Sequence, residues 1–263
     1  MGIEVRIISL DKHTNNHPVK VMFPQAKYFK AIDTRNSTPK NLLDNRLITL
    51  NGFENLKNGR KYHHELPSTG CIGLSLSMWH ILKSGNEPIL ICEDDCLPSP
   101  ILPHVIDEIY NSSDIDMVVF GPIMYKRSED TVASFIKGFD MLNSYFWGTH
   151  AILFTSSGRK KASKYLEPPV DVQVDALFSR LAMYSDYKVI IQAPNEAPLA
   201  KQKPHTSTLQ NYCPLCERNP KDTMIDSLSI LIICVVLLLL LVIFSSRTNQ
   251  YFSKAKRMLT KKT

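Results

Sequence analysis

The sequence predicts an α/β fold: a mostly parallel sheet with helices on both faces. Three observations carry that prediction. Short runs rich in Val, Ile and Leu recur through the first 200 residues, each long enough for one buried strand. Longer segments with helical apolar spacing lie between them, set off by Gly, Pro or Ser-Thr. One run, residues 88–92, ends in Glu93-Asp94-Asp95, and the carboxyl end of a strand is where an open α/β sheet has its ligand crevice.

The elements follow in order. Residues 5–10 read as the first strand and 11–18 as a polar loop. Tyr28, Phe29 and Ile32 supply β-formers for a second strand at 27–32, and residues 34–66 read as polar and irregular. A helix is expected after Ser68-Thr69, with Ile72, Leu76, Trp79, Ile81 and Leu82 at roughly helical spacing and Gly85-Asn86 ending it. Residues 87–92 form the central strand, 103–110 a helix and 116–120 a strand. The weak pattern of 121–143 looks like a variable substrate loop. A strand at 150–154, helices at 157–166 and 172–183 split by Pro168-Pro169, and a strand at 187–192 complete the set. Trp79 reads as core.

From 227 to 246 no residue is charged, and residues 230–244 are almost wholly aliphatic. About 20 helical residues cover the roughly 30 Å hydrocarbon thickness of a bilayer, so this stretch reads as a transmembrane helix. The division is then a catalytic-type domain at 1–210, a linker at 211–226, the helix at 227–246 and a basic tail at 247–263 that meets anionic lipid. The first residues do not read as a secretion signal, because Glu4 and Arg6 interrupt a short apolar run. The side of the membrane on which the body lies is left open: the basic tail favours a lumenal body, the missing signal a cytosolic one.

Net charge is +6, but the tail alone holds Arg247, Lys254, Lys256, Arg257, Lys261 and Lys262. Without them 25 basic residues face 25 acidic ones, so a nucleic-acid-binding body is not expected. Six cysteines are too few for a disulfide framework in 263 residues. Cys92 reads as a small buried hydrophobe. Cys213 and Cys216 form a lone Cys-x-x-Cys with only His205 near in sequence, better suited to a disulfide or free thiols than to zinc.

Three consecutive acids repel one another unless a cation or donor groups neutralise them. An oxygen-rich strand end suits a hard divalent ion, and such an ion suits a diphosphate. Asp95 is the first choice for metal contact and Asp94 its partner. The alternative at this point is a solvated acidic turn.

Four pieces stand in order: the strand running to Ser9-Leu10-Asp11; Gly70-Cys71-Ile72-Gly73 with Ser77, followed by Glu93-Asp94-Asp95; Gly148-Thr149-His150 with Ser157-Gly158; and Pro169 with Asp171 and Asp175. This arrangement resembles glycosyltransferase family 25, which includes lipooligosaccharide and collagen galactosyltransferases, over roughly residues 5–209. The resemblance implies a GT-A-like fold, a UDP-sugar donor (often UDP-galactose) and Mn²⁺ (or Mg²⁺). It implies donor contacts at Gly70, Gly73, Ser77 and Glu93, with Gly148 letting backbone approach the donor. Leu74 and Met78 stand where the family usually has Cys and His.

An inverting transfer also needs a base near the acceptor hydroxyl. Asp171 and Asp175 share a helix face if that helix starts early, and one of them is the expected base. Asp171 also reads as a helix cap. His150 reads as structural, His63-His64-Glu65 as loop, and Glu65→Ala is expected to change little. The expected activity is membrane-anchored, metal-dependent transfer of a hexose to a glycan or protein hydroxyl. The alternative is an inactive descendant that binds a partner or glycan.

Overall fold

The computed structural model describes residues 3–10, 16–110, 112 and 114–203. The linker, the apolar segment at 227–246, the basic tail, Cys213 and Cys216 lie outside these. Among the described residues no helix is long and apolar enough to cross a membrane.

The chain begins with β1 (Glu4–Ser9), α1 (Pro18–Met22) and β2 (Lys27–Lys30). Residues 34–66, expected to be irregular, contain two helices, α2 (Pro39–Asp44) and α3 (Leu50–Asn58). Each starts at a threonine whose hydroxyl accepts a backbone N–H: Thr38 from Asn41 at 3.2 Å and Thr49 from Gly52 at 3.0 Å. Neither helix has an apolar stripe long enough to announce it. α2 buries only Leu42, and α3 buries Gly52 and Asn55.

Next come α4 (Gly70–Lys83), β3 (Ile89–Glu93), β4 (Cys96–Pro98), α5 (Leu102–Ile109) and β5 (Met117–Val119). The expected substrate loop instead carries β6 (Met124–Tyr125) and β7 (Phe139–Met141), followed by β8 (Phe146–Trp147). β9 (Ala151–Phe154), α6 (Ser156–Tyr165), α7 (Val174–Tyr184), β10 (Val189–Gln192) and β11 (Ala200–Gln202) complete the domain. α7 starts two residues later than its sequence pattern suggests. The chain before it is extended, with Val170 bridged to Ile48 and Val172 to Glu65.

The main sheet has the order β2-β1-β3-β9-β5-β10-β7. β2, β1, β3, β5 and β10 run in one direction, while β9 and β7 run against them. The mostly parallel sheet is therefore present, with one antiparallel strand in its middle. Strand residues alternate between two cores. Ile89 and Ile91 pack with Met78, Ile81, Ala162 and Phe178 of α4, α6 and α7. Leu90 and Cys92 pack on the opposite face with Val19, Leu102 and Ile106 of α1 and α5. Helices thus cover both faces, and Cys92 is a free, fully buried thiol. A third cluster (Leu42, Ile48, Leu66, Ile72, Leu76, Val170) ties the 42–66 region to α4 and to the chain before α7.

Because β9 runs against its neighbours, its first residues lie where β3 and β5 end. One edge of the sheet therefore gathers Ser9, Glu93, Phe120 and Gln192 from the ends of four strands, and Thr149-His150 from the start of a fifth.

Candidate active site

Glu93 is the last residue of β3, and Asp94 and Asp95 make the turn into β4. The turn is not a solvated one. Glu93 is 8% exposed, Asp95 2%, and Asp94 is half-buried. Donors from several segments hold it. Ser9 Oγ donates to Asp94 Oδ2 at 3.0 Å. Val19 N–H occupies His17 Nδ1 at 3.2 Å, which leaves Nε2 to donate to the Asp94 carbonyl at 2.8 Å. Thr149 Oγ1 donates to Glu93 Oε1 at 2.7 Å, and Gln202 Nε2 to Asp95 Oδ2 at 2.8 Å. The backbone N–H of Lys203 caps the Asp95 carbonyl at 2.9 Å.

Even so, the cluster is electrostatically loaded. Burial, then the neighbouring Asp95 charge, push the Glu93 carboxyl well above the usual carboxylate range, against the Thr149 bond. Burial also raises Asp95, which the Gln202 bond opposes. One atom has no counterpart: Asp95 Oδ1 is buried without a hydrogen-bond partner.

Among the described residues no three His, Cys, Asp or Glu side chains converge into a closed metal cage. Two carboxylates suffice, however, for a hard cation that brings water and phosphate oxygens as its other ligands. Asp94 and Asp95 supply two such carboxylates, the first half-buried and the second buried with its Oδ1 unpartnered.

Asp175 sits in the first turn of α7 and lies near this cluster, since its charge bears on Glu93. Burial raises its pKa to about 6, while backbone N–H groups of Ala176 and Gly148 and the Arg60 charge pull it down. Gly148 has φ +105°, and a Cβ there would lie 2.8 Å from Ile123 N. Its close backbone approach is to Ile123 and Asp175.

Asp171 lies outside α7, so the two aspartates do not share a helix face. Nor does it cap α7, whose N-cap is Gln173. Asp171 Oδ1 instead accepts from Thr49 Oγ1 at 2.5 Å and Asn51 Nδ2 at 3.2 Å, bracing the start of α3. Of the pair, it is Asp175 whose charge bears on the acid cluster.

The glycines and serine of α4 divide. Cys71 feels the charges of Asp175, Arg60 and Glu93, which brings the first turn of α4, with Gly70, beside the acids. Gly73 and Ser77 lie deeper. A Cβ on Gly73 would meet Ile32 O at 2.2 Å. Ser77 Oγ donates to Gly73 O at 2.6 Å and accepts from Ile32 N at 2.9 Å, with no exposure. Both hold α4 against the chain after β2, so donor contact at Ser77 would require breaking two internal bonds. Met78, at the family's histidine position, is fully buried in the core.

His150 is buried between the backbone of Gly121 and Ala200, and burial lowers its pKa. A pocket of about 220 Å³ opens past the ends of β5 and β10, lined by Gly121, Ile123, Tyr125, Gln192 and Glu196 among others. It shares the Ile123 wall with Gly148 but includes none of the three acids. Glu65 is not an idle loop residue. It is buried, and its Oε2 accepts from Lys61 N at 2.6 Å and Tyr62 N at 3.0 Å.

Sequence reasoning missed Ser9, His17, Arg60, Thr149 and Gln202 as site residues. Ser9 and Thr149 both stand in the motifs quoted above, Thr149 next to Gly148. Gln202 gives no signal, because β11 is three residues long and is placed by pairing with β4.

No protein-family model matches this sequence, and no curated protein matches it.

Proposed function

We propose that this chain is a metal-dependent glycosyltransferase that moves a hexose, galactose first among candidates, from a UDP-sugar to a hydroxyl acceptor with inversion. Residues 227–246 would anchor it in a membrane. The observation that carries the reading is the acid turn. At the carboxyl edge of a mostly parallel sheet Glu93 and Asp95 are buried and Asp94 half-buried, and one buried oxygen of Asp95 is left without a partner. Folding such a turn costs stability, which is understandable where a ligand offsets the cost.

A divalent ion held by Asp94 and Asp95 would neutralise charge on the diphosphate leaving group. Ser9 and Gln202 each hold one carboxylate oxygen of the pair and His17 holds the Asp94 carbonyl, which limits the reorganisation on binding. Across the site, Asp175 takes the proton of the acceptor hydroxyl. With a pKa of about 6 it is a stronger base than an ordinary aspartate and still ionised at neutral pH. Gly148 and Ala176 orient that carboxylate through their backbone N–H groups.

The test is hydrolysis of a panel of UDP-sugars by the full-length protein in detergent micelles with Mn²⁺. Turnover of at least one, abolished by chelation and by Asp95→Asn, is the expected result. A folded protein that neither hydrolyses nor binds any of them in excess metal overturns the reading in favour of an inactive binding protein. Protease protection in sealed vesicles assigns the side of the membrane.

A further inference from the structure

We infer that Tyr62, His64, Tyr145 and Trp147 form a stair of aromatic rings that binds sugar residues of a glycan beside Asp175. The inference deepens the glycosyl-transfer reading, on which it rests for the role of acceptor, by selecting a glycan over an isolated protein hydroxyl.

Consecutive rings are nearly parallel. Tyr62 and His64 are 5.5 Å apart at 6°, His64 and Tyr145 5.9 Å at 14°, and Tyr145 and Trp147 6.1 Å at 19°. Tyr62 is 62% exposed and Tyr145 37%, while His64 and Trp147 are half-buried. A row of large rings held open to water calls for an explanation.

The row is also preorganised. Glu65 holds the Lys61 and Tyr62 N–H groups, Arg60 Nη1 donates to His63 O at 3.0 Å, and Gln173 Nε2 donates to the same carbonyl. On the other side, Phe146 N–H donates to Ser179 Oγ at 3.2 Å, and Ser179 donates to Asp175 O at 2.8 Å, seating β8 on α7. Rigid rings bind with little ordering cost.

The chemistry matches a pyranose. Its C–H face is apolar and packs on ring faces, while its hydroxyls project at the edges toward polar groups. Two charged groups lie near enough to act on His64, Arg180 and Asp171, the latter with one oxygen held by Thr49 and Asn51. Trp147 immediately precedes Gly148, whose backbone holds Asp175. The stair therefore ends one residue from the backbone that holds the proposed base.

The chain has two tryptophans, so Trp79→Phe leaves Trp147 as the sole indole reporter. Its emission is titrated in full-length protein, without donor or metal, against lactose, maltose, N-acetyllactosamine and chitobiose. A saturable change with at least one sugar is expected, weakened about fivefold or more by Tyr62→Ala and by Tyr145→Ala. Circular dichroism should be unchanged in both variants. A folded protein that responds to none of these sugars, or only to a proline-rich peptide, overturns the stair even where hydrolysis is found. Sugar binding without any hydrolysis leaves the stair standing and removes the transferase reading.

Discussion

Thr149 Oγ1 donates to Glu93 Oε1 at 2.7 Å, joining the segment that leads into β9 to the last residue of β3. The bond is buried, and it is the main contact acting to keep the Glu93 carboxyl from rising further. Thr149→Val keeps the shape and removes the donor. It should lower stability by about 1–2 kcal/mol in urea unfolding of metal-free protein. Thr149→Ser should restore most of the loss.

Asp95→Asn separates stability from function. The wild-type side chain is 2% exposed, with one oxygen bonded to Gln202 and the other unpartnered. Replacing it by a neutral amide removes a buried charge. Metal-free Asp95→Asn should therefore unfold at the wild-type temperature or a few degrees above it at about pH 8, while Mn²⁺ no longer raises its Tm. A thermal shift by Mn²⁺ with UDP that survives in the variant would remove Asp95 from the metal site.

The pH profile belongs to Asp175. Its folded pKa is raised to about 6 from the ordinary value of 3.8. The transfer rate should therefore climb as pH rises through about 6, and Asp175→Asn should cost about 10²–10⁴-fold and flatten that limb. The stability sign is opposite. A raised folded pKa contributes stability that is fully present below pH 3.8 and is lost as pH rises through about 6. Asp175→Asn should gain on wild type between acid and neutral pH, measured by chemical unfolding across that range.

Gly148→Ala meets two obstacles, φ +105° and a Cβ placed 2.8 Å from both Ile123 N and Cγ1. The expected loss is about 2 kcal/mol or more, with turnover falling as well because the same backbone holds Asp175. A fully stable, fully active variant would contradict the placement of this residue.

Arg159 provides a control away from the chemistry. It is wholly buried, pairs with Glu4 at 2.7 Å and donates to the carbonyls of Ile81, Leu82 and Glu87. Arg159→Ala should cost about 3–5 kcal/mol, removing one donor each from the Glu4 carboxylate, which keeps Arg6, and from three backbone carbonyls, while the KM of surviving protein is unchanged.

The strands β1, β3, β5, β9 and β10 were legible because each is a short apolar run, whereas β4, β6, β7, β8 and β11, two or three residues each, leave no such mark. The helix α4 was legible from its spacing. What escaped has a common physical origin. α2 and α3 are fixed by threonine caps and by packing on Val170, not by periodicity. Ser77 looked like a ligand group because a motif contains it, yet its hydroxyl is spent inside the protein. Asp171 and Asp175 looked like one face because the extended stretch before α7 leaves no mark in residue spacing. The aromatic rings come from segments about 80 residues apart and meet only through tertiary packing.

The reversed direction of β9 couples parts that a purely parallel sheet would leave independent. Trp147 touches the rings, Gly148 the candidate base, Thr149 the acids, and the His150 carbonyl receives the Glu93 N–H at 3.0 Å. Sliding this strand by one residue would invert which side chains face inward and misalign every one of those partners together. Its pairing with β3, Cys92 opposite Ala151, thus acts as a single adjustment screw for both halves of the cleft.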